Sequence, residues 1–305
     1  MTNPRPNTPS ERKISDLIAP NLAAEVRRIE LQTRRSVRSE MLGQYRSAFR
    51  GNGLIFSELR AYEPGDEIKK IHWKATARTG KVQVKSYDEE RHLNVVVAVD
   101  LSPSTIFGGA RTNGAKALEF AALIAILART NGDSLGLCLF GDRVVHYTPP
   151  RRARTQTERI LLSLLEAEPV TGSTDVGGAL RFIHERQRRP AIVFVASDFI
   201  APPFGSDLAA LAARHDVVCV ALRDRLDSAL PSAGLVSFCD PESGAVSDVD
   251  TSSLEVQAAL KRAQDLRISG VRAACDRAGA ALIEIDADPL TPLAQLMNRR
   301  AARGR

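Results

Sequence analysis

Closely spaced cysteines are missing from this chain. Its four cysteines, Cys138, Cys219, Cys239 and Cys275, stand far apart, with no pair set as in a metal knuckle or redox motif. Cys138 and Cys219 fall inside apolar runs, where a thiol behaves as a small core residue, and nothing demands an oxidising compartment. Long apolar runs are missing as well. No stretch nears the ~18 residues that would span a bilayer, and Met1 to Ser10 is polar and proline-rich without an apolar secretory core. A cytoplasmic location is the expectation. The five histidines, His72, His92, His146, His184 and His215, show no metal-ligand spacing. A Gly-x-x-x-x-Gly-Lys-Ser/Thr loop for nucleotide and a Gly-x-Ser-x-Gly elbow for acyl transfer are both lacking. Neither an internal repeat nor a low-complexity tract is present.

The 305 residues are 44% hydrophobic, enough for a substantial core. Forty-two basic against 36 acidic side chains leave a net charge of +6. Much of that excess sits near the ends, in Arg27-Arg28, Arg34-Arg35 and Arg38 and in the closing run from Asn298 to Arg305. Such clusters suit nucleic acid or acidic protein, but a solvated helix face is their commoner meaning.

Along the chain, residues 1–48 read as a disordered leader followed by a helical segment, with Ile14, Leu17, Ile18, Leu22, Val26, Ile29 and Leu31 near helical spacing, interrupted by Pro20. Residues 49–92 read as a small β-rich extension: a strand over Leu54–Tyr62, a turn at Glu63-Pro64-Gly65-Asp66, an amphipathic piece around Ile68–Ala77, and a second strand over Lys81–Tyr87. Residues 93–288 alternate. Apolar strands are expected at 93–99, 135–140, 191–197, 216–222 and 280–285, with helices near 112–130, 155–166, 175–188, 205–214 and 252–278. Gly141-Asp142 signals a hairpin to an antiparallel edge. The fold class is therefore α/β, a doubly wound, mostly parallel, Rossmann-type sheet. A C-terminal helix and basic tail occupy 289–305.

The chemistry concentrates where the first of those strands ends, in Asp100-Leu101-Ser102-Pro103-Ser104. Residues two apart on an extended chain point the same way, so one carboxylate and two hydroxyls can converge on a small ion. Pro103 biases Ser102 toward the extended region. Oxygen donors suit magnesium, manganese or calcium rather than zinc or copper. The competing reading of Asp100, Ser102 and Ser104 is helix N-capping. Thr174 presents the same choice between ion and cap in front of a predicted helix, in which Gly177 and Gly178 need a close approach of ligand or sheet to explain them. Asp198 closes the apolar run Ala191–Ser197, at a strand end facing the same crevice.

In this order, Asp100, Ser102, Ser104, Thr174 and Asp198 resemble the von Willebrand factor type A fold with its metal-ion-dependent adhesion site. The resemblance implies that Ser102, Ser104 and Thr174 touch the ion while Asp100 and Asp198 act largely through water. A cation held mainly by neutral groups attracts a carboxylate from a partner. The Asp-Gly frequent in that family is Asp198-Phe199 here. Upstream, Leu59-Arg60-Ala61-Tyr62-Glu63-Pro64-Gly65-Asp66 followed by Ile71-His72-Trp73 and Ala77-Arg78 is similar to the signature of a bacterial family called domain of unknown function 58. That resemblance implies work beside MoxR-type AAA+ ATPases as adaptor or chaperone-like factors.

The functional expectation is a non-enzymatic, divalent-cation-dependent protein-binding factor, with magnesium first and manganese or calcium as alternatives. Its partner would offer an acidic residue, with a MoxR-type ATPase as the class the resemblance implies. Two rivals stand beside it. One is a metal-dependent phosphohydrolase using Asp100 as nucleophile, although such folds place a second carboxylate where Ser102 stands. The other is a nucleic-acid module using the basic ends or the mixed block Lys69, Lys70, Trp73, Lys74, Arg78, Lys81 and Lys85. For that block, packing of Ile71 and Trp73 onto the main sheet is the favoured reading.

Overall fold

The computed structural model describes residues 43–45, 48–49, 55–88, 92–105, 112–168, 170, 172–224, 226, 230–239 and 245–303. Apart from Gly43–Tyr45, Ala48 and Phe49, the helical segment expected before residue 49 lies outside the described residues, with its arginine pairs. The chain divides into two compact units. One is Arg50–Leu93; the other holds Asn94–Arg305 together with Tyr45 and Phe49.

In the smaller unit, β1 (Ile55–Ala61) pairs antiparallel with β2 (Gln83–Asp88). The turn between Glu63 and Asp66 is closed by the Asp66 carboxylate, which accepts from the Glu63 N–H at 2.9 Å. A short 3-10 turn (Ile68–Lys70) leads into α1 (Trp73–Thr79), whose first turn is capped by His72 Nδ1 accepting from the Ala75 N–H at 3.0 Å. Trp73 departs from the packing role expected of it: 66% of its surface is accessible. It opens a two-turn helix that turns Ala75 inward, so its own side chain is left on the outer face.

The larger unit continues with β3 (Asn94–Asp100), α2 (Asn113–Asn131), β4 (Ser134–Phe140), β5 (Val144–Arg151), α3 (Arg154–Leu165), α4 (Val176–Arg186) and β6 (Ile192–Ser197). Then follow α5 (Gly205–Ala212), β7 (Asp216–Leu222), β8 (Leu235–Cys239), β9 (Val246–Asp250), α6 (Leu254–Ala278), β10 (Ala281–Ile285) and α7 (Leu290–Arg303). A six-stranded sheet has the order β10-β7-β6-β3-β4-β5, parallel throughout except for β5 against β4. This is the doubly wound, mostly parallel sheet expected from the alternating pattern. The β8–β9 hairpin forms a separate two-stranded sheet that the sequence pattern did not announce.

The strands β3, β6 and β7 are unbroken apolar runs because helices cover both faces of a parallel sheet. Helix α2 is buried from Asn113 to Ala128, which makes it a core element rather than an amphipathic surface helix. Phe194 of β6 receives the ring edges of Phe120 at 5.5 Å and Phe49 at 5.9 Å between centroids. Full burial contributes roughly 1.5–3 kcal/mol for each such side chain. On the far side of Phe49, the Arg300 guanidinium lies 4.9 Å from the ring centroid and forms a two-pronged ion pair with Asp216 at 2.5 and 2.8 Å.

The outer strand β5 carries Pro149 and Pro150, residues that a sheet tolerates at an edge. Its approach to β4 is close. A Cβ on Gly136 would come within 2.8 Å of the Thr148 carbonyl oxygen and the Pro150 nitrogen, at a shift in strand register between Leu135 and Leu137.

The strand order also sets where a ligand can sit. The chain leaves β3 for β4 on one side and returns to β6 on the other, so a crevice opens at the carboxyl ends of β3 and β6. Asp100 is the last residue of β3, and Asp198 directly follows β6.

Candidate metal centre

Each expected site residue hangs from a strand end or from the loop beside it. Asp100 is fully buried, with both carboxylate oxygens engaged: Oδ1 accepts from the Ser102 N–H at 2.9 Å and Oδ2 from the Ser197 hydroxyl at 2.6 Å. The first of these bonds bends the backbone just past the strand, turning the Ser102 hydroxyl to within 3.0 Å of the Ser104 hydroxyl. A 3-10 turn (Pro103–Thr105) holds that bend, with the Thr105 hydroxyl and N–H both donating to the Ser102 carbonyl at 2.7 and 3.0 Å. The Ser197 hydroxyl in turn accepts from the Phe199 N–H at 2.9 Å, and Asp198 Oδ1 accepts from the Ile200 N–H at 3.0 Å. Thus the ends of β3 and β6 are tied into one hydrogen-bonded cluster.

The third element arrives on the loop before α4. Val170 donates to the Leu101 carbonyl at 2.9 Å and Asp175 to the Gly141 carbonyl at 2.8 Å, which pins this loop to the carboxyl ends of β3 and β4. Asp175, not Thr174, caps α4, accepting from the Gly178 N–H at 2.7 Å. That explains the paired glycines: a Cβ on Gly178 would collide with the Asp175 carboxylate, and one on Gly177 would lie 2.7 Å from Asp207 Oδ2. The capping interpretation fails likewise for the β3 motif, since α2 is capped by Thr112, which accepts from the Ala115 N–H at 3.2 Å.

With capping assigned elsewhere, Thr174 is 99% buried and its hydroxyl has no hydrogen-bond partner among the described residues. A buried hydroxyl of this kind costs roughly 1–3 kcal/mol unless something satisfies it. Electrostatics gives a second mark. Burial, and then the neighbouring charge of Asp198, push the Asp100 carboxyl up to about 7. Two neighbouring buried carboxylates repel when both are charged, and a proton or a bound cation would relieve them. Among the described residues, no three His, Cys, Asp or Glu side chains gather as a metal-ligand group. The donors are hydroxyls beside two carboxylates, which fit a hard divalent cation.

Phe199 has a positive φ of 56°, a value that costs most residues strain. Its ring is buried and stacked on Phe204 at 5.4 Å, which holds the backbone there. Where the resemblance led to an expectation of glycine, this chain combines a left-handed turn with an aromatic anchor. Ser197 and Asp175 were missed as functional residues. Ser197 pairs with a carboxylate 97 positions away, and Asp175 competed with Thr174 for a single cap.

Comparison with known proteins bears on this arrangement. The family described as protein of unknown function DUF58 matches residues 58–267. The chain belongs to this family. Within it, the uncharacterized protein Rv1480 of Mycobacterium tuberculosis is 30% identical over 235 residues, 76% of this chain and 74% of that protein. Mb1516 of Mycobacterium bovis gives the same figures. Solved structures that resemble this DUF58 protein include BatB from Bacteroides thetaiotaomicron, 14% identical with a TM-score of 0.45 over 69% of this chain and 99% of that one. A von Willebrand factor type A protein from Catenulispora acidiphila is 14% identical with a TM-score of 0.39, over 69% and 42% of the two chains. These are likenesses of outline; the doubly wound fold is read from the strand order itself.

Proposed function

We propose that this DUF58 protein is a divalent-cation-dependent protein-binding factor whose ion is held at the carboxyl ends of β3 and β6. Ser102, Ser104 and Thr174 would supply direct oxygen donors, with Asp100 and Asp198 behind them. When bound, the cation supplies a positive centre short of negative ligands, to which an acidic side chain of a partner is drawn. Asp100 orients the Ser102 backbone and the Ser197 hydroxyl, and the β3–β6 cluster keeps the donors in place. The observation that supports this reading is the buried hydroxyl of Thr174, unpartnered among the described residues, on a loop pinned to the carboxyl ends of β3 and β4, where Asp100 and Asp198 interact. The partner class implied by the family resemblance is a MoxR-type AAA+ ATPase.

A nucleophilic role for Asp100 is less well supported, because both its oxygens are hydrogen-bonded and neither reaches solvent. The test is a calorimetric titration of the full chain with magnesium, followed by binding to a purified MoxR-type ATPase with and without chelator. Saturable magnesium binding that disappears in Thr174→Val and Asp100→Ala, with ATPase binding lost alongside, is the expected result. Titrations indistinguishable between the native chain and both variants would sink the metal-bridged reading.

A further inference from the structure

Beyond the carboxyl ends of β6 and β7 lies a cavity of about 400 Å³ that the metal site does not use. Its walls come from three places: Ile200 and Leu226 from the loops after β6 and β7, Phe238 and Val249 from the β8–β9 hairpin, and Leu260 from α6. The hairpin puts Val236, Phe238 and Val249 on one half-buried face while Leu235 and Val246 point outward, so the apolar wall is a built surface. The base of the hairpin is fastened to α6. Thr251 donates to the Gly234 carbonyl at 2.9 Å, and Gln257 Nε2 donates to the Thr251 carbonyl at 3.0 Å.

Two polar side chains, Gln264 and Arg267, line this otherwise apolar cavity. Gln264 is 96% buried, and among the described residues neither its Nε2 nor its Oε1 has a hydrogen-bond partner. A buried amide with its donor and its acceptor both unsatisfied is matched by a group that offers one of each in the same plane. A residue in an extended peptide does so, because its N–H and C=O lie along one edge, as they do between paired strands. The surrounding walls accept that residue's apolar side chain. The size falls in the range of ligand cavities.

One residue links the cavity to the proposed metal site. Ile200 lines it with its side chain while its N–H holds the Asp198 carboxylate at 3.0 Å. We infer that the cavity receives an apolar side chain of an extended partner peptide, with Gln264 pairing to that residue's backbone. The same peptide would carry its acidic residue at the neighbouring cation. The inference rests on the metal-bridged reading only for the position of that acid; the pocket and the amide stand without it.

The test is a displayed library of linear random peptides selected against the full chain in magnesium. The individual peptides are then measured on Ala263→Trp and Gln264→Leu. Ala263 is exposed on α6 at the cavity, so tryptophan there fills the mouth without touching the core. The expected consensus pairs Leu, Ile, Met or Phe with Asp or Glu at a fixed spacing, and both variants weaken binding about tenfold. Peptides with the apolar position that bind equally well in chelator and to Asp100→Ala, yet fail on Ala263→Trp, uphold the cavity and remove the metal bridge. An acidic consensus with no apolar position, unmoved by Ala263→Trp, overturns the inference and leaves the metal reading intact. Failure to enrich peptides, together with an apolar dye that the native chain binds and Ala263→Trp does not, overturns it in favour of a small-molecule pocket.

Discussion

Three buried polar side chains define the testable chemistry at the scale of single residues. Gln264 leaves an amide unpaired in the free protein, so Gln264→Leu should raise stability by about 1–3 kcal/mol, read as a higher urea midpoint at unchanged slope. Loss of peptide binding with gain of stability is a signature that a merely structural residue would not give. His215 is buried and flanked by Arg214 and His184, and burial first, then those charges, lower its pKa from 6.5 to about 4. Its contribution is intact above pH 6.5, where both folded and unfolded imidazoles are neutral. It is lost as pH falls toward 4, because the unfolded chain takes up a proton that the folded one refuses. Asp100 acts in the opposite sense over the same range, so the informative quantity is a difference: His215→Leu should lose less stability than the native chain between pH 7 and pH 4.5, measured by urea unfolding. The proposed metal residues are legible as types at spacings, because alternation on a strand end is a local property. Their partners were not. Ser197 reaches Asp100 across the sheet, and Gln264 occupies what reads in sequence as an ordinary polar position on a helix.

Elements were legible wherever burial on both faces made a strand apolar from end to end. Thus β3, β4, β6 and β7 fall within a residue or so of their expected bounds, as does the half-buried edge strand β10 despite its Glu284. The β8–β9 hairpin escaped because it is half-buried, with only Val236, Phe238 and Val249 turned inward among serines and aspartates. The junction of β4 and β5 is the element most sensitive to a single methyl group. Gly136→Ala would force the new Cβ against the Thr148 carbonyl and the Pro150 ring, and we expect a loss of about 1–3 kcal/mol by chemical denaturation. The cap of α4 behaves similarly. Asp175→Ala removes the acceptor for Gly178, at a cost of about 1 kcal/mol, while leaving the Thr174 hydroxyl and hence magnesium binding in place. If Asp175→Ala abolished the magnesium titration, the division of labour between these neighbours would be wrong.

For the whole molecule, the proposed cation binding would be linked to folding in one equilibrium. Magnesium at about a hundred times its Kd would add about 2.7 kcal/mol and raise Tm by about 5–10 °C in a domain of this size. In chelator, Asp198→Asn should melt above the native chain, because it removes one of two confronted carboxylates, and in magnesium it should gain nothing. A reversed order of those melting curves would mean that the two acids are balanced from within the fold. Among the described residues no helix is long and apolar enough to cross a membrane. The outer strand β5 has a further consequence. Pro149 and Pro150 have no amide hydrogens, so the end of that border is a poor template for a visiting strand. Along that stretch, strand addition by a partner or by a second copy is disfavoured.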